Sequence, residues 1–465
     1  MKFKNYVIIM LFFISIHTLF SQNFNGSPSM VISFNFGTIT KKINTTPKAI
    51  IEEALMKESS SISIKDYLSF NKIMDSIDFY SDISVVFHTI DMENFSIMIP
   101  YKNLNSLKNG LYNLIDTQNI ETYYSDGIEY VYLGEDGVIA SFYNGILCIS
   151  FSSSGNYAAM AYNKKLLNGV LLRDRGYSEL QNKTSDIKLW ADLSLFDLEN
   201  NYDIDTEYLK DSSISCYLDI GQKNATCGFN VYMPHINISS LDKRLDERML
   251  KFIDDSILFF TLSLDSNEAL NILNRYFPNM KEEIEHELSF FETDFNMLGG
   301  DLVFSMLDKD NYIMALSLNN YNQFLNLIKN NNEYSSITSL GNNSYFIEAY
   351  DFNMYVDQDI VCVFSDTMSY YDISRIINNQ NNNFSRKNLG FFMNNNMTFY
   401  FNVQNIYRLM QDEYYEYDDI IKELKYISGS LNIKDNKIES NFRIDFKYST
   451  EELLLKTLNS FAESL

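Results

Sequence analysis

The sequence predicts an α+β fold made of two tandem, diverged copies of one unit, with mainly antiparallel sheets and helices packed on one face. Three observations predict it. Apolar residues alternate with period two through many short segments. Hairpin-forming pairs such as Asn144-Gly145 separate those segments. The same blocks then recur in the same order in both halves of the chain.

The first element is not part of the fold. Residues 1–21 have the form of a signal peptide: Lys2 and Lys4, an apolar run from Tyr6 to Phe20, then Ser21 before Gln22. The run is shorter than the roughly 20 residues of a membrane-spanning helix. The first cysteine is Cys148, so no lipid anchor is expected at the cleavage point. The expectation is an exported protein, periplasmic or extracellular, with no transmembrane segment in the mature chain.

Residues 22–251 then form the first copy and 252–465 the second. Met30-Val-Ile-Ser-Phe-Asn-Phe36 corresponds to Ile257–Leu264, and Asp82–Phe87 to Asp301–Phe304. Helical faces follow at Leu104, Leu107, Leu111 and Leu114, and at Tyr321, Phe324, Leu327 and Ile328. Gly145–Phe151 aligns with Asp359–Phe364, which places Cys148 on Cys362. Ile187–Leu193 aligns with Met397–Val403, which places Trp190 on Tyr400. Leu218-Asp-Ile220 aligns with Leu431-Asn-Ile433, and Phe229–Val231 with Phe442–Ile444. Thr46-Pro47 opens a helix with a capping residue followed by proline. The alternation at Ile214, Cys216, Leu218 and Ile220 places those residues on one face, with Ser215, Tyr217 and Asp219 on the other.

With Asp435-Asn436 as a two-residue loop, Leu431 faces Ser440. The same register sets Cys216 diagonal to Cys227, a poor geometry for a bridge. The expectation is four buried free thiols, with a Cys216–Cys227 bridge as the alternative.

The 465-residue chain carries 37 basic and 61 acidic residues, a net charge of −24. That field repels phosphate backbones and excludes nucleic acid as a partner. Hydrophobic residues at 46 % provide a core and argue against disorder.

Catalytic and metal signatures are weak. Glu283 and His286 form Glu-x-x-His, but a di-iron site needs the motif twice, and Phe290 stands where a zinc-protease helix needs its second histidine. Ser152-Ser153-Ser154-Gly155 lacks the frame of a nucleophile elbow. The acidic run Asp412–Asp419 has oxygen ligands but not the order or glycine of a calcium loop. No catalytic residue, cofactor or metal is assigned. Trp190, the single tryptophan, and Tyr400 are the candidate binding aromatics, because an exposed aromatic on a sheet can stack on a sugar or grip a peptide.

The early strand Ser29-Met-Val-Ile-Ser-Phe-Asn35, the strand–hairpin–helix block from Asp82 to Leu114 and the strand Gly137–Phe142 resemble a family of exported proteins and lipoproteins common in Bacteroidetes. That family carries only a domain-of-unknown-function label (DUF4836-like), and it implies no activity and no site residues. This chain differs from it in lacking a lipobox cysteine. The functional expectation is an exported, non-enzymatic binding or structural protein of the cell envelope, with an envelope protein, peptide or glycan as partner. The alternative is an envelope hydrolase whose site is built from dispersed carboxylates.

Overall fold

Short alternating strands with positive-φ turn residues can close only as hairpins, and antiparallel pairing is what the computed structural model contains. The structure describes residues 28–58, 63–89, 93–114, 120–133, 137–195, 207–253, 256–276, 297–330, 336–349, 352–378, 389–409, 422–447 and 450. They divide into two units, and the fold is mixed α/β. The first unit takes the described residues up to 195 with Ser213–Gln222 and Thr450; the second takes 207–212 and those from Lys223 to 447. Residues 223–251, grouped with the first copy on sequence grounds, thus lie in the second unit.

The first unit holds β1 (Met30–Phe34), β2 (Ile83–Phe87), β3 (Phe95–Pro100), β4 (Glu121–Ser125), β5 (Ile128–Tyr132), β6 (Val138–Tyr143), β7 (Ile146–Phe151), β8 (Ile187–Asp192) and β9 (Ser213–Ile220). Across the sheet the order is β4-β5-β6-β7-β3-β2-β1-β8-β9, antiparallel throughout. Its turns carry the expected chemistry: Asn144-Gly145 and Asp126-Gly127 both have positive φ at both positions. The helices are α1 (Phe36–Lys42), α2 (Pro47–Glu58), α3 (Ile64–Ser76), α4 (Leu104–Leu114), α5 (Asn156–Leu167) and α6 (Arg175–Gln181). Thr46 caps α2 by accepting from the Ala49 N–H at 3.2 Å.

Helices cover both faces of this sheet, which corrects the one-face expectation. On the first face Ile32, Val85, Ile97 and Leu147 pack with Met74 of α3 and with Leu107 and Leu111 of α4. On the second face Val31, Val86, Cys148 and Trp190 pack with Leu166 of α5 and with Tyr177 and Leu180 of α6. The reason lies in the central strands: Val85, Val86 and Phe87 are all buried, so β2 has no solvent side.

The second face is also rich in small hydroxyl residues. Ser33, Ser84, Ser96, Ser150, Ser213 and Ser215 are buried there, and the Ser33 and Ser84 hydroxyls meet at 2.8 Å. In β9 it is Ser213 and Ser215 that are buried, whereas Ile214 and Cys216 are half-buried. Small side chains let α6 approach closely, and a Cβ on Gly176 would stand 2.5 Å from the Ser213 Oγ.

The second unit holds β10 (Asn224–Tyr232), β11 (Leu258–Ser263), β12 (Leu298–Met306), β13 (Tyr312–Leu318), β14 (Ser336–Gly341), β15 (Ser344–Glu348), β16 (Phe352–Val356), β17 (Ile360–Ser365), β18 (Met397–Asn402), β19 (Leu424–Lys434) and β20 (Lys437–Phe446). The order is β14-β15-β16-β17-β13-β12-β11-β18-β19-β20-β10, again antiparallel. Leu431 does face Ser440 across the Asp435-Asn436 turn. Its helices are α7 (Ser266–Tyr276), α8 (Tyr321–Asn330), α9 (Tyr370–Asn378), α10 (Leu389–Met393) and α11 (Val403–Leu409). One face of the sheet is sealed by Ile373 of α9, Phe392 of α10 and the 3₁₀ helix Glu247–Ile253, which pack on Phe259, Val303, Ala315 and Cys362. Among the described residues no helix is long and apolar enough to cross a membrane.

Candidate functional site

Among the described residues, the opposite face of the second unit's sheet departs from the usual strand pattern. In β11 the residues Phe259, Thr261 and Ser263 are buried, while Leu258, Phe260 and Leu262 are half-buried. In β12 the buried set is Asp301, Val303 and Ser305, and the half-buried set is Leu302, Phe304 and Met306. Polarity is thus reversed from the usual pattern, because the more accessible side of these strands is the more hydrophobic one.

Register turns this alternation into a surface. Residues directly opposite in antiparallel strands share a face. Phe260 faces Phe304 on one side and Phe399 on the other. The row extends through Met314 in one direction and through Gly429, Phe442 and Cys227 in the other. A neighbouring row runs Met306, Leu258, Phe401, Ile427, Ile444. At about 4.8 Å per strand spacing, the central row of seven strands spans about 29 Å.

Gly429 is the small residue at the middle of this floor, and aromatic rings lie over it. A Cβ there would come within 2.5 Å of Phe442 and 2.6 Å of Phe399. Those rings are 5.6 Å apart, Phe401 lies 5.3 Å from Phe399, and Phe229 lies 5.8 Å from Phe442. The rings fill the gap a glycine would leave, so the floor is continuous. The central row contains no charged residue. At one edge Ile328 of α8 covers Leu316 and Val361; at one end Ile272 and Tyr276 of α7 pack with Leu264, Leu431 and Ile433. Among the described residues, Phe260, Phe304, Phe399 and Phe442 join none of the buried clusters. In the first unit the sheet face that carries Ile32 and Val85 belongs to the core under α3 and α4.

The aromatics singled out from sequence lie elsewhere. Trp190 is 4 % exposed, its indole N–H donates to the Asp174 carboxylate at 2.8 Å, and Tyr177 packs edge-on at 6.0 Å. That enclosure leaves no ring face for a ligand. Tyr400 is half-buried between Phe259 and Tyr426, at 5.6 and 5.7 Å, on the sealed side of its sheet; burial pushes its phenol up to about 12. The aromatic floor escaped sequence reading because its residues fall on four strands that only register brings together. The available signal was the reversal itself: serine and threonine alternating with the largest apolar residues in β11, β12 and β18.

The other candidates are structural. None of the four cysteines forms a disulfide; Cys148 and Cys362 are buried, but Cys216 and Cys227 are half-buried, which corrects the expectation of burial for those two. Burial pushes the Cys148 thiol up to about 12 and raises that of Cys227. His88 is buried beyond the end of β2, stacked on Tyr162 at 3.9 Å, with Nε2 2.7 Å from the Ser96 hydroxyl. Ser96 meets Ser150, which donates to Asn163 of α5, and Asn163 donates to Ser141. Ser96 and Ser150 are fully enclosed, so the His–Ser pair has no access to a substrate. Ser152 donates to Asn94 at 2.9 Å and ends β7 rather than forming an elbow. Two carboxylates, Asp186 and Asp301, are buried among the described residues; each is in a different unit and each is held by a lysine. Residues 1–21, Glu283 with His286, and the acidic run 412–419 lie outside the described residues.

No protein-family model matches the chain, and no curated protein matches it. Solved structures of TP0453 are similar over part of it. Crystal form I is 12 % identical, with 49 % of this chain and 80 % of that chain covered and a TM-score of 0.26. Crystal form III is 12 % identical, with 45 % and 77 % covered and a TM-score of 0.28. Scores so low carry no argument about fold or function.

Proposed function

We propose that this chain is an exported, non-enzymatic binding protein of the cell envelope, and that its ligand contacts the half-buried apolar floor of the second unit. The observation that carries the reading is the continuous row Phe304–Phe260–Phe399–Gly429–Phe442, uncharged and, among the described residues, with its four phenylalanines outside the buried clusters. A run of apolar side chains outside the buried core is a common mark of an interaction site. The export part rests on the Lys2–Ser21 leader, in keeping with the DUF4836-like exported proteins that the sequence resembles. The hydrolase alternative finds less support, because the two buried carboxylates are separately neutralised by Lys42 and Lys243.

The reading includes an origin by tandem duplication. Its support is the recurrence of one strand order: β4-β5-β6-β7-β3-β2-β1-β8-β9 in one unit, β14-β15-β16-β17-β13-β12-β11-β18-β19 in the other. Cys148 sits opposite Met98 and Cys362 opposite Ala315, each at the third position of its strand. Asp186 accepts from the Ile220 N–H at 2.7 Å, and Asn396 from the Ile433 N–H at 2.7 Å.

The test is titration of the purified mature protein with the neutral dye Nile red. Saturable, stoichiometric binding is expected. Phe399→Gln should weaken it at least about tenfold, as loss of a central aromatic anchor does, while Trp190→Phe should leave it unchanged. Absence of saturable dye binding would remove the basis of the reading.

A further inference from the structure

The hydrogen-bond chain that ends on His88 has a direction, and one backbone carbonyl sets it. The side-chain nitrogen of Asn163 in α5 lies 3.1 Å from the Ile139 carbonyl and 2.7 Å from the Ser141 hydroxyl. A carbonyl only accepts, so the amide nitrogen must face it and the amide oxygen must accept from Ser150. That uses the single Ser150 hydroxyl proton, so Ser96 donates to Ser150. The Ser96 proton is then used as well, and His88 Nε2, 2.7 Å from the Ser96 hydroxyl, is the donor. His88 is therefore the neutral Nε2–H tautomer. Its Nδ1 is a bare lone pair, buried and with no hydrogen-bond partner among the described residues.

We infer that this chain is an acid-released latch: a proton taken up at His88 Nδ1 frees α5 from the sheet while the opposite face of the first unit stays packed. Protonation puts a second N–H where no acceptor stands, and a charge on a ring that is 1 % exposed. The surroundings oppose that charge. Lys165 of α5 adds a like charge, Tyr162 of α5 covers the ring at 3.9 Å, and Ser96 of β3 and Ser150 of β7 are neutral. Burial also keeps the Cys148 thiol of β7 neutral, at about 12. Among the described residues no carboxylate offsets the charge on the ring. The imidazolium reaches water by displacing Tyr162, and the next residue is Asn163, on which the chain is anchored. Stack and chain thus hold α5 through consecutive positions and are lost together.

The sign follows from the two forms. The closed form refuses a proton that the open form binds at the ordinary 6.5, because burial holds the enclosed ring at about 3. Opening therefore grows as pH falls below 6.5, by about 30-fold between pH 8 and pH 5. Lys164 of α5 also meets Asp126 at 2.5 Å, and it holds that carboxyl below its ordinary range. The pair stays ionised at pH 5 and adds nothing to the pH dependence.

Hydrogen exchange of the purified protein, read by mass spectrometry from pH 8 to pH 5 and corrected for the intrinsic effect of pH, measures this opening. The α5 peptide should open about 30-fold more at pH 5 than at pH 8, while α4, on the opposite face, stays unchanged. His88→Gln keeps a donor for Ser96 but does not titrate, so α5 exchange should lose its pH dependence. NMR of the wild-type protein with isotope-labelled histidine should show His88 as the Nε2–H tautomer, a readout that needs no variant. An equal rise in the glutamine variant, or an Nδ1–H tautomer, would overturn the latch. So would a rise confined to the peptide carrying His88, or one shared equally by α4, which would be acid unfolding of the whole unit.

Discussion

Replacing Asp186 separates the geometric from the electrostatic part of a buried contact and tests the proposed kinship of the two units. Asp186 immediately precedes β8 and is 1 % exposed. One carboxylate oxygen accepts from Thr38 Oγ1 at 2.8 Å; the other accepts from Lys42 Nζ at 2.6 Å and from the Ile220 N–H at 2.7 Å. Asp186→Ala removes both acceptor oxygens and with them all three hydrogen bonds. A stranded buried N–H costs about 1–3 kcal/mol, and a lost hydrogen bond to a charged group about 1.5–3 kcal/mol. Lys42 keeps Asp219 at 2.9 Å and reaches solvent, so the second value falls at its lower end. The expected loss is about 3–4 kcal/mol, in the range for breaking a buried pair from one side. Asp186→Asn keeps an oxygen for the Ile220 N–H, the role that Asn396 fills for Ile433. The charge is lost and the Thr38 hydroxyl must accept from the amide nitrogen instead of donating, so about 1 kcal/mol is expected. Urea unfolding followed by Trp190 emission reports on the first unit, and the midpoints of wild type and both variants give the comparison. If the asparagine variant is as damaged as the alanine variant, charge rather than acceptor position holds the contact, and the equivalence of Asp186 and Asn396 fails.

Burial, with Lys165 adding to it, pushes the His88 imidazole from 6.5 down to about 3. The unfolded chain therefore binds a proton that the folded chain refuses: the contribution is whole above pH 6.5 and is lost as pH falls towards 3, reaching about 2 kcal/mol at pH 5. His88→Gln should flatten that part of the stability–pH curve, and an unchanged acid slope would refute the assignment. Gly429→Ala should force the Phe399 and Phe442 rings upward and cost about 1–3 kcal/mol by overpacking, measurable as a lower urea midpoint; a neutral effect would show that the rings do not rest on the glycine. Sequencing of the secreted or periplasmic protein should begin at or near Gln22, and an intact Met1 on cytoplasmic protein would refute export.

Much of the fold was legible because turn chemistry is local. Asn144-Gly145 and Asp435-Asn436 specify their hairpins from two residues each, and the pairing of Leu431 with Ser440 follows by counting outward. Helix α4 and helix α8 were legible for the same reason, since an apolar stripe declares itself within three turns. What could not be read was which side of each strand the helices would choose. Ser215 and Thr261 look like solvent-facing residues, yet both are buried, because small hydroxyls let helices approach and find partners, as Thr261 finds Thr398 at 2.6 Å. The floor was hidden for a second reason. Phe260, Phe304, Phe399 and Phe442 are scattered over more than 180 positions of sequence, and no local window contains the surface they build.

The pairing of β10 with β20 has a consequence for how the protein is made. Asn224 pairs with Asp445, so β10 leaves the ribosome long before its neighbour in the second unit. At about 5–20 residues per second, the intervening chain takes roughly 10–45 s to synthesise. For that time the β20-facing edge of β10 presents open backbone groups beside Cys227, Phe229 and Val231, the kind of segment that recruits another chain. Newly made protein should thus depend on holding chaperones until β20 arrives. A fragment cut at residue 251 keeps this edge permanently unmatched, while the complementary fragment loses the strand that β20 is built to meet.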